Sequence, residues 1–313
     1  MPVSIANAVF DQLRAFGGYA FPKSHAAAFA VIVYQSAWLK CYYPAAFFCA
    51  LLNTQPMGFW PPSVLVGDAK RHGVPILPVD IAQSATRCTL ERGGIRLGLN
   101  YITGFGADRL AQLDQVRRDK PFVSLADLCR RTRLPRLLIE RLIQAGALDA
   151  WGIPRRTLLW ELGTLRYQAD ELDLPIPHTA IALPTPTPAE TLASELAVLG
   201  LSSGNHLMAL YRAWLDQHGL QSSATLETCD DGQRIKLAGL CIVHQAPPTA
   251  KGFHFACLED EWGMANVIIS PGLVIRDGKH LHSGHVLLVE GVVQREAEVI
   301  NVIAQRIAPL AIA

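Results

Sequence analysis

The 313-residue sequence predicts a multidomain α + β chain, with a mostly helical N-terminal two thirds and a five-stranded β-barrel at the C-terminal end. Three observations carry that prediction. Apolar residues recur at helical spacing, or run together for a helix length, between Phe16 and Gly146. From Arg234 the period changes to two, in five runs rich in β-branched residues and bounded by turn residues. Between these regions Pro175, Pro177, Pro184, Pro186 and Pro188 make Leu174 to Ala189 a semi-rigid, proline-rich linker.

The first element follows a flexible turn at Gly17-Gly18. Ser24 suits an N-cap, since its hydroxyl can accept from an orphan first-turn amide. The run from His25 to about Cys41 has helix length and is apolar almost all round, so burial on most faces is expected. Pro44 suits the first turn of a second helix reaching about Asn53. Lys23 and His25 flank the cap of the first helix, and Ala26, Ala27 and Ala28 leave room for an approaching anion. First-turn amides with a lysine beside them suit phosphate. The competing reading, which spacing alone favours, is a capped core helix with two surface charges.

The middle of the chain is basic. Met1 to Trp60 carries 3 basic and 1 acidic residues, Pro61 to Arg156 carries 16 and 9, and Thr157 to Ala313 carries 9 and 17. A polyanion is therefore expected to meet the middle, not the end. A short helix is expected over Ser63 to His72, between Trp60-Pro61-Pro62 and Pro75 to Pro78. Next, Ile102-Thr103-Gly104-Phe105-Gly106-Ala107 leads into a helical pattern through Leu110 and Leu113. It resembles a helix-hairpin-helix turn, in which two glycines let backbone amides approach a DNA phosphate while the apolar residue anchors the hairpin. Such contacts read backbone, not bases. Ser124 caps a further helix, with Asp127 three residues on in a short capping box. Arg130, Arg131, Arg133 and Arg136 cluster beyond it, and a helix through Arg141 is stopped by Gly146. A solvated face is the plain alternative for these arginines.

Beyond the linker, Thr191 to Gly219 reads as two short helices. The five strand runs are Ile235–His244, Phe253–Leu258, Ala265–Ile269, Val286–Gln294 and Val299–Arg306. A longer gap, Pro271 to Gly284, separates the third from the fourth, as in an OB-fold. Phe253, Phe255 and Trp262 offer stacking surfaces, yet Glu227 onward holds 10 acidic and 7 basic residues. Single-strand binding and a protein-interaction barrel both remain open. Glu259-Asp260-Glu261 falls in a turn and is expected to face solvent. His280, His282 and His285 read as a loop cluster, with no cysteine near enough to complete a zinc site.

A long stretch resembles the end of the fingers domain of bacterial C-family DNA polymerases, the polymerase III alpha subunits and their error-prone relatives. The residues are Gly18-Tyr19, Phe21-Pro22-Lys23-Ser24-His25-Ala26-Ala27-Ala28-Phe29, Tyr34-Gln35-Ser36-Ala37-Trp38-Leu39-Lys40 and Tyr43-Pro44-Ala45-Ala46-Phe47-Phe48. Ala265-Asn266-Val267-Ile268 and Leu288-Val289-Glu290-Gly291 are close to words of the error-prone subgroup. The resemblance implies residues 1–82 as a fingers tail and 83–173 as a tandem helix-hairpin-helix. It then implies 174–189 as the linker, 190–226 as a short helical connector and 227–313 as an OB-fold.

By the same resemblance Lys23 and His25 lie near the phosphates of an incoming nucleoside triphosphate, and Tyr34 near its base or sugar. Gly104, Gly106, Arg130, Arg131, Arg133, Arg136 and Arg141 become the candidates for holding duplex DNA. Implied partners are primer-template DNA, a deoxynucleoside triphosphate, an upstream palm and thumb, and accessory proteins of SOS polymerases. Gln168 to Leu172 stands where such subunits carry a sliding-clamp peptide, but Glu171 replaces one apolar anchor. Glu195, Leu199-Gly200-Leu201 and His206 match a family segment before the last domain, with Leu207 where proline is usual.

Polymerisation needs paired carboxylates for two metal ions, and no Asp-x-Asp pair on a strand occurs here. Mg2+ is thus expected of a complete polymerase and no cofactor of this chain, which alone is expected not to polymerise. Seven scattered cysteines form no Cys-x-x-Cys, no signal peptide is apparent, and a cytoplasmic location is expected. Gln35, Ser36, Lys40 and Pro44 break the apolar run, so no membrane span is expected. A non-catalytic DNA-binding adaptor and an OB-fold RNA-binding protein are the alternative functions.

Overall fold

A computed structural model describes residues 3–17, 23–167, 183–281 and 285–310. Gly18, Phe21, Pro22, the Gln168–Leu172 peptide, most of the proline-rich stretch and His282 lie outside the described residues. Helices α1 (Val3–Gly17), α2 (Lys23–Tyr42), α3 (Pro44–Asn53) and α4 (Pro62–Arg71) open the chain. Pro44 occupies the first turn of α3, where its missing amide costs nothing.

Two expectations for α2 need correction. Ser24 lies inside the helix, which already includes Lys23. None of its described side chains is buried. Phe29, Val31, Ile32, Val33, Trp38 and Leu39 are all exposed, because the helix packs chiefly on α3 and its apolar residues ring it without favouring one face. Its last turns are tied to the body of the chain. Lys40 donates to Asp68 of α4 at 2.8 Å, and Phe48 and Leu52 of α3 enter the main core.

A small sheet follows that the sequence reading did not anticipate. Strands β1 (Ile76–Leu77), β2 (Thr89–Glu91) and β3 (Gly94–Arg96) pair in the order β1-β3-β2. These strands are two or three residues long, too short to show a period. Arg96, only 7% exposed, pins the sheet by donating to Glu91, Gln83 and the Pro78 carbonyl. The Arg96 guanidinium holds the Glu91 carboxyl below its usual range.

Helices α5 (Ala107–Asp119), α6 (Leu125–Thr132), α7 (Arg136–Gln144) and α8 (Arg155–Thr164) then pack around Leu113, Leu128, Ile139, Leu142 and Leu158. The Ser124 cap forms as expected: its hydroxyl accepts from Asp127 N at 3.1 Å, and the Asp127 carboxylate accepts from Val123 N at 3.2 Å. One apolar core runs from Phe48 through these helices to Leu201.

Helices α9 (Pro188–Leu199), α10 (Leu207–Gln217) and α11 (Ser223–Leu226) connect to the barrel. Thr187 and Glu190 form a reciprocal capping box on α9. The barrel comprises β4 (Arg234–Gln245), β5 (His254–Glu259), β6 (Met264–Ile269), β7 (Val286–Glu296) and β8 (Val299–Pro309). It closes in the order β4-β5-β6-β8-β7, with β7 back on β4 and β6 parallel to β8. This is OB-fold connectivity. Inward residues alternate along each strand, as Leu287, Val289 and Val293 do on β7. The gap between the third and fourth strands holds a helix, α12 (Pro271–Asp277), which packs on β8.

Candidate nucleic-acid interface

The hairpin before α5 has the expected build. Phe105 is buried in the main core, while Thr103, Gly104 and Gly106 stay at the surface. Gly104 sits at φ +88°, a conformation that L side chains rarely adopt. A Cβ there would also run into Nη1 of Arg141, which donates to the Thr103 carbonyl at 2.8 Å. Thus α7 brings Arg141 to the rim of the glycine turn. Thr103 is further held by two hydrogen bonds, from its amide at 3.0 Å and its hydroxyl at 2.7 Å, to the Val198 carbonyl at the end of α9. The turn is thus bonded to both α7 and α9.

The other arginines divide. Arg130 lies exposed in the last turn of α6; Arg133 is its C-cap residue, exposed, at φ +47°. Arg131 instead caps the end of α5. It donates to the carbonyls of Val116 (2.5 Å), Lys120 (2.7 Å) and Pro121 (3.3 Å), pairs with Asp127 at 3.2 Å and lies over the Phe122 ring. Arg136 does the same for α8, donating to the carbonyls of Leu162 and Leu165 beside the Tyr167 ring. Helix C-termini leave carbonyls without intrahelical partners, and a guanidinium serves several at once.

Arg109 is a further candidate that the spacing of the sequence does not single out. It is exposed in the first turn of α5, three residues past Gly106. Its one mark is its place as the first cation after the Gly-x-Gly turn.

At the other end, Lys23 and His25 lie exposed in the first turn of α2, with the His25 ring 4.4 Å from that of Phe29. Tyr34 is also exposed. At 3.6 residues per turn, Tyr34 falls on the Lys23 side of the helix, about 16 Å further along, and roughly opposite His25. The three residues therefore do not form one cluster on α2 itself.

The acidic triplet corrects another expectation. Glu259 and Asp260 are each only 2% exposed. Glu259 accepts from Arg71 of α4 at 3.0 Å and lies 3.7 Å from His206. Asp260 accepts from the Ser223 amide (2.7 Å) and hydroxyl (2.5 Å), and Glu261 pairs with Arg212 of α10 at 2.5 Å. A Cβ on Gly67 would stand 3.0 Å from the Glu259 carboxylate, so the missing side chain lets α4 approach the barrel. A turn in sequence is here an interdomain contact. The connector residues have parallel roles: Glu195 accepts from Arg155 (3.0 Å) and Ser202 (2.5 Å), and His206 caps α10.

These carboxylates are committed to cations and amides, and no group of three His, Cys, Asp or Glu among the described residues is arranged to hold a metal ion. The donor set does not fit a catalytic magnesium pair. Among the described residues no helix is long and apolar enough to cross a membrane.

Fold and site together define the class: a helix-hairpin-helix protein carrying an OB-type barrel. A helix-hairpin-helix motif family matches residues 73–158. The relatives specify more. The error-prone DNA polymerase of Azoarcus sp. (strain BH72) is 41% identical over 97% of this chain and 30% of its own length. That of Dechloromonas aromatica (strain RCB) is 39% identical over 99% of this chain and 30% of its own. That of Pseudomonas aeruginosa is 39% identical over 96% and 30%. The chain is a homologue of the error-prone DNA polymerases and spans about 30% of the length of these relatives. Among solved structures, an asparaginyl-tRNA synthetase from Pyrococcus horikoshii is similar over 29% of this chain and 23% of its own, at 16% identity and a TM-score of 0.26. A likeness that slight supports no conclusion.

Proposed function

We propose that this chain is the DNA-holding portion of an error-prone DNA polymerase, working with a catalytic half that it does not contain. Residues 83–173 hold duplex DNA, with the amides of Gly104 and Gly106 and the cations Arg130, Arg133 and Arg141 on phosphates. Arg131 and Arg136 contribute charge from positions that also cap helices. Residues 1–82 are the tail of the fingers, where Lys23 and His25 face the triphosphate of an incoming deoxynucleotide and Tyr34 its base or sugar. The complete protein extends a primer in the cytoplasm, tolerates damaged templates, and takes Mg2+ on carboxylates outside this chain. Residues 227–313 meet single-stranded template or an accessory protein of an SOS polymerase.

The observation that carries this reading is identity of about 40% along nearly the whole chain to proteins named error-prone DNA polymerase. The exposed apolar ring of α2 agrees with it, since contiguous exposed apolar surface marks a site of interaction. The experiment is primer extension with magnesium, using this chain alone and mixed with a separately expressed palm and thumb fragment from a relative. Extension only in the mixture is expected. Robust extension by this chain alone, or a mixture no better than the fragment, refutes the reading.

A further inference from the structure

Where α4, the α9–α10 turn and the barrel meet, the structure forms an open-sided cavity of about 420 Å³. Its walls are largely apolar, formed by Val66, Leu192, Leu196, Leu207 and Leu240. Five groups that carry or can carry charge face it: Lys70, Arg71, His206, Glu259 and Glu261. Four of them are already balanced. Arg71 pairs with Glu259, His206 stands beside the same carboxylate while capping α10, and Glu261 pairs with Arg212.

Lys70 is different. Its ammonium donates to the carbonyls of Ser202 (3.3 Å) and Gly204, and among the described residues no carboxylate lies within ion-pair distance of it. Glu195, whose charge it feels, is spent on Arg155 and Ser202. An ammonium has three protons to donate, and carbonyl dipoles do not cancel its charge. Burial accordingly pulls the Lys70 pKa below the ordinary lysine value. A group that enters with a negative charge removes that penalty, and a neutral or cationic one does not.

We propose that this junction cavity is a binding site for a small amphipathic anion, an apolar body lying on Val66, Leu192, Leu196 and Leu240 with one carboxylate or phosphate head on Lys70 Nζ. The volume falls in the range of small-molecule sites, which favour boundaries between domains. The site touches α4, the connector and the barrel at once, so occupation ties the barrel to the helical body. It stands independently of the polymerase reading, because none of its residues is assigned to DNA or nucleotide.

The test uses the whole chain and calorimetric titration with sodium octanoate, with octylammonium chloride as the probe of opposite charge. Saturable octanoate binding with one site is expected, at least about tenfold tighter than octylammonium, the scale of a charge-assisted hydrogen bond. Lys70→Met should abolish that preference. Leu196→Trp, which fills the cavity from its partly exposed wall, should abolish saturable binding while leaving the melting temperature within a few degrees of wild type. If Lys70→Met fails to fold, the charge series and Leu196→Trp decide. Equal binding of both probes, affinity unchanged in Leu196→Trp, or no saturable heat at all would each overturn the proposal. Loss of primer extension in the polymerase mixture, with octanoate binding intact, would fault the polymerase reading and leave this site standing.

Discussion

The division among the arginines yields a quantitative test of the DNA-holding module. Arg109 and Arg133 are exposed, and neither caps a helix terminus through its side chain. Replacing Arg109 with Ser and Arg133 with Asn removes two candidate phosphate contacts. Asn suits the second site because it tolerates the φ of +47° that residue 133 adopts. If both contacts are made, the slope of log affinity against log salt should flatten by about 1.8, at roughly 0.9 per phosphate neutralised on B-form DNA. Between 50 and 200 mM salt, wild type should therefore lose roughly 12-fold more affinity than the double variant. Fluorescence anisotropy on a labelled primer-template duplex measures this directly. Urea unfolding serves as the control, since exposed side chains should cost no more than about 0.5 kcal/mol each. An unchanged slope with a folded double variant would refute the claim that this face holds the duplex.

Further expectations follow from other contacts. Arg131→Ala should destabilise the chain by about 2 kcal/mol or more, because three carbonyls and Asp127 lose their donor together; a urea midpoint equal to wild type would contradict the capping role. Gly104→Ala should cost about 1–2 kcal/mol from backbone strain alone and displace Arg141 from Thr103, weakening duplex binding at low salt. Glu259→Ala should cost about 2–3 kcal/mol, because Arg71 loses its 3.0 Å partner and is left with Asp68 at 4.0 Å; an effect below about 1 kcal/mol in urea unfolding would remove this pair as a latch. Burial pushes the thiols of Cys88, Cys241 and Cys257 up to about 11 and that of Cys129 up to about 12, so their thiolates are scarce at pH 8 and increase only as pH rises. Exposed Cys41 should then be the one fast-reacting thiol toward Ellman's reagent at pH 8, and a second fast thiol would contradict the packing around the buried ones.

Much of this fold was legible in the residues themselves. The five barrel runs, the glycine hairpin, the Ser124 cap and the proline start of α3 are local facts. They depend on a period of two, a missing Cβ, a hydroxyl at a helix mouth or a ring that lacks an amide, and each can be read within a few residues. The small sheet was not legible, because strands of two or three residues have no period and β1 pairs with a strand 19 positions away. Nor was the helix in the gap before β7, where α12 has only seven residues to show its pattern.

The candidate site divides along the same line. Composition alone marks the basic middle of the chain, while Gly104 and Gly106 become candidates through the resemblance of their turn to a helix-hairpin-helix. Only the tertiary structure separated Arg131 and Arg136, turned inward onto helix carbonyls, from Arg133 at the surface, because a guanidinium's partners lie up to 29 residues away. It likewise set Glu259 against Arg71, 188 residues apart, and left the apolar ring of α2 uncovered. Period and composition register how apolar a segment is. Whether a neighbour arrives to bury it, or a distant charge to balance it, is decided by the path of the rest of the chain.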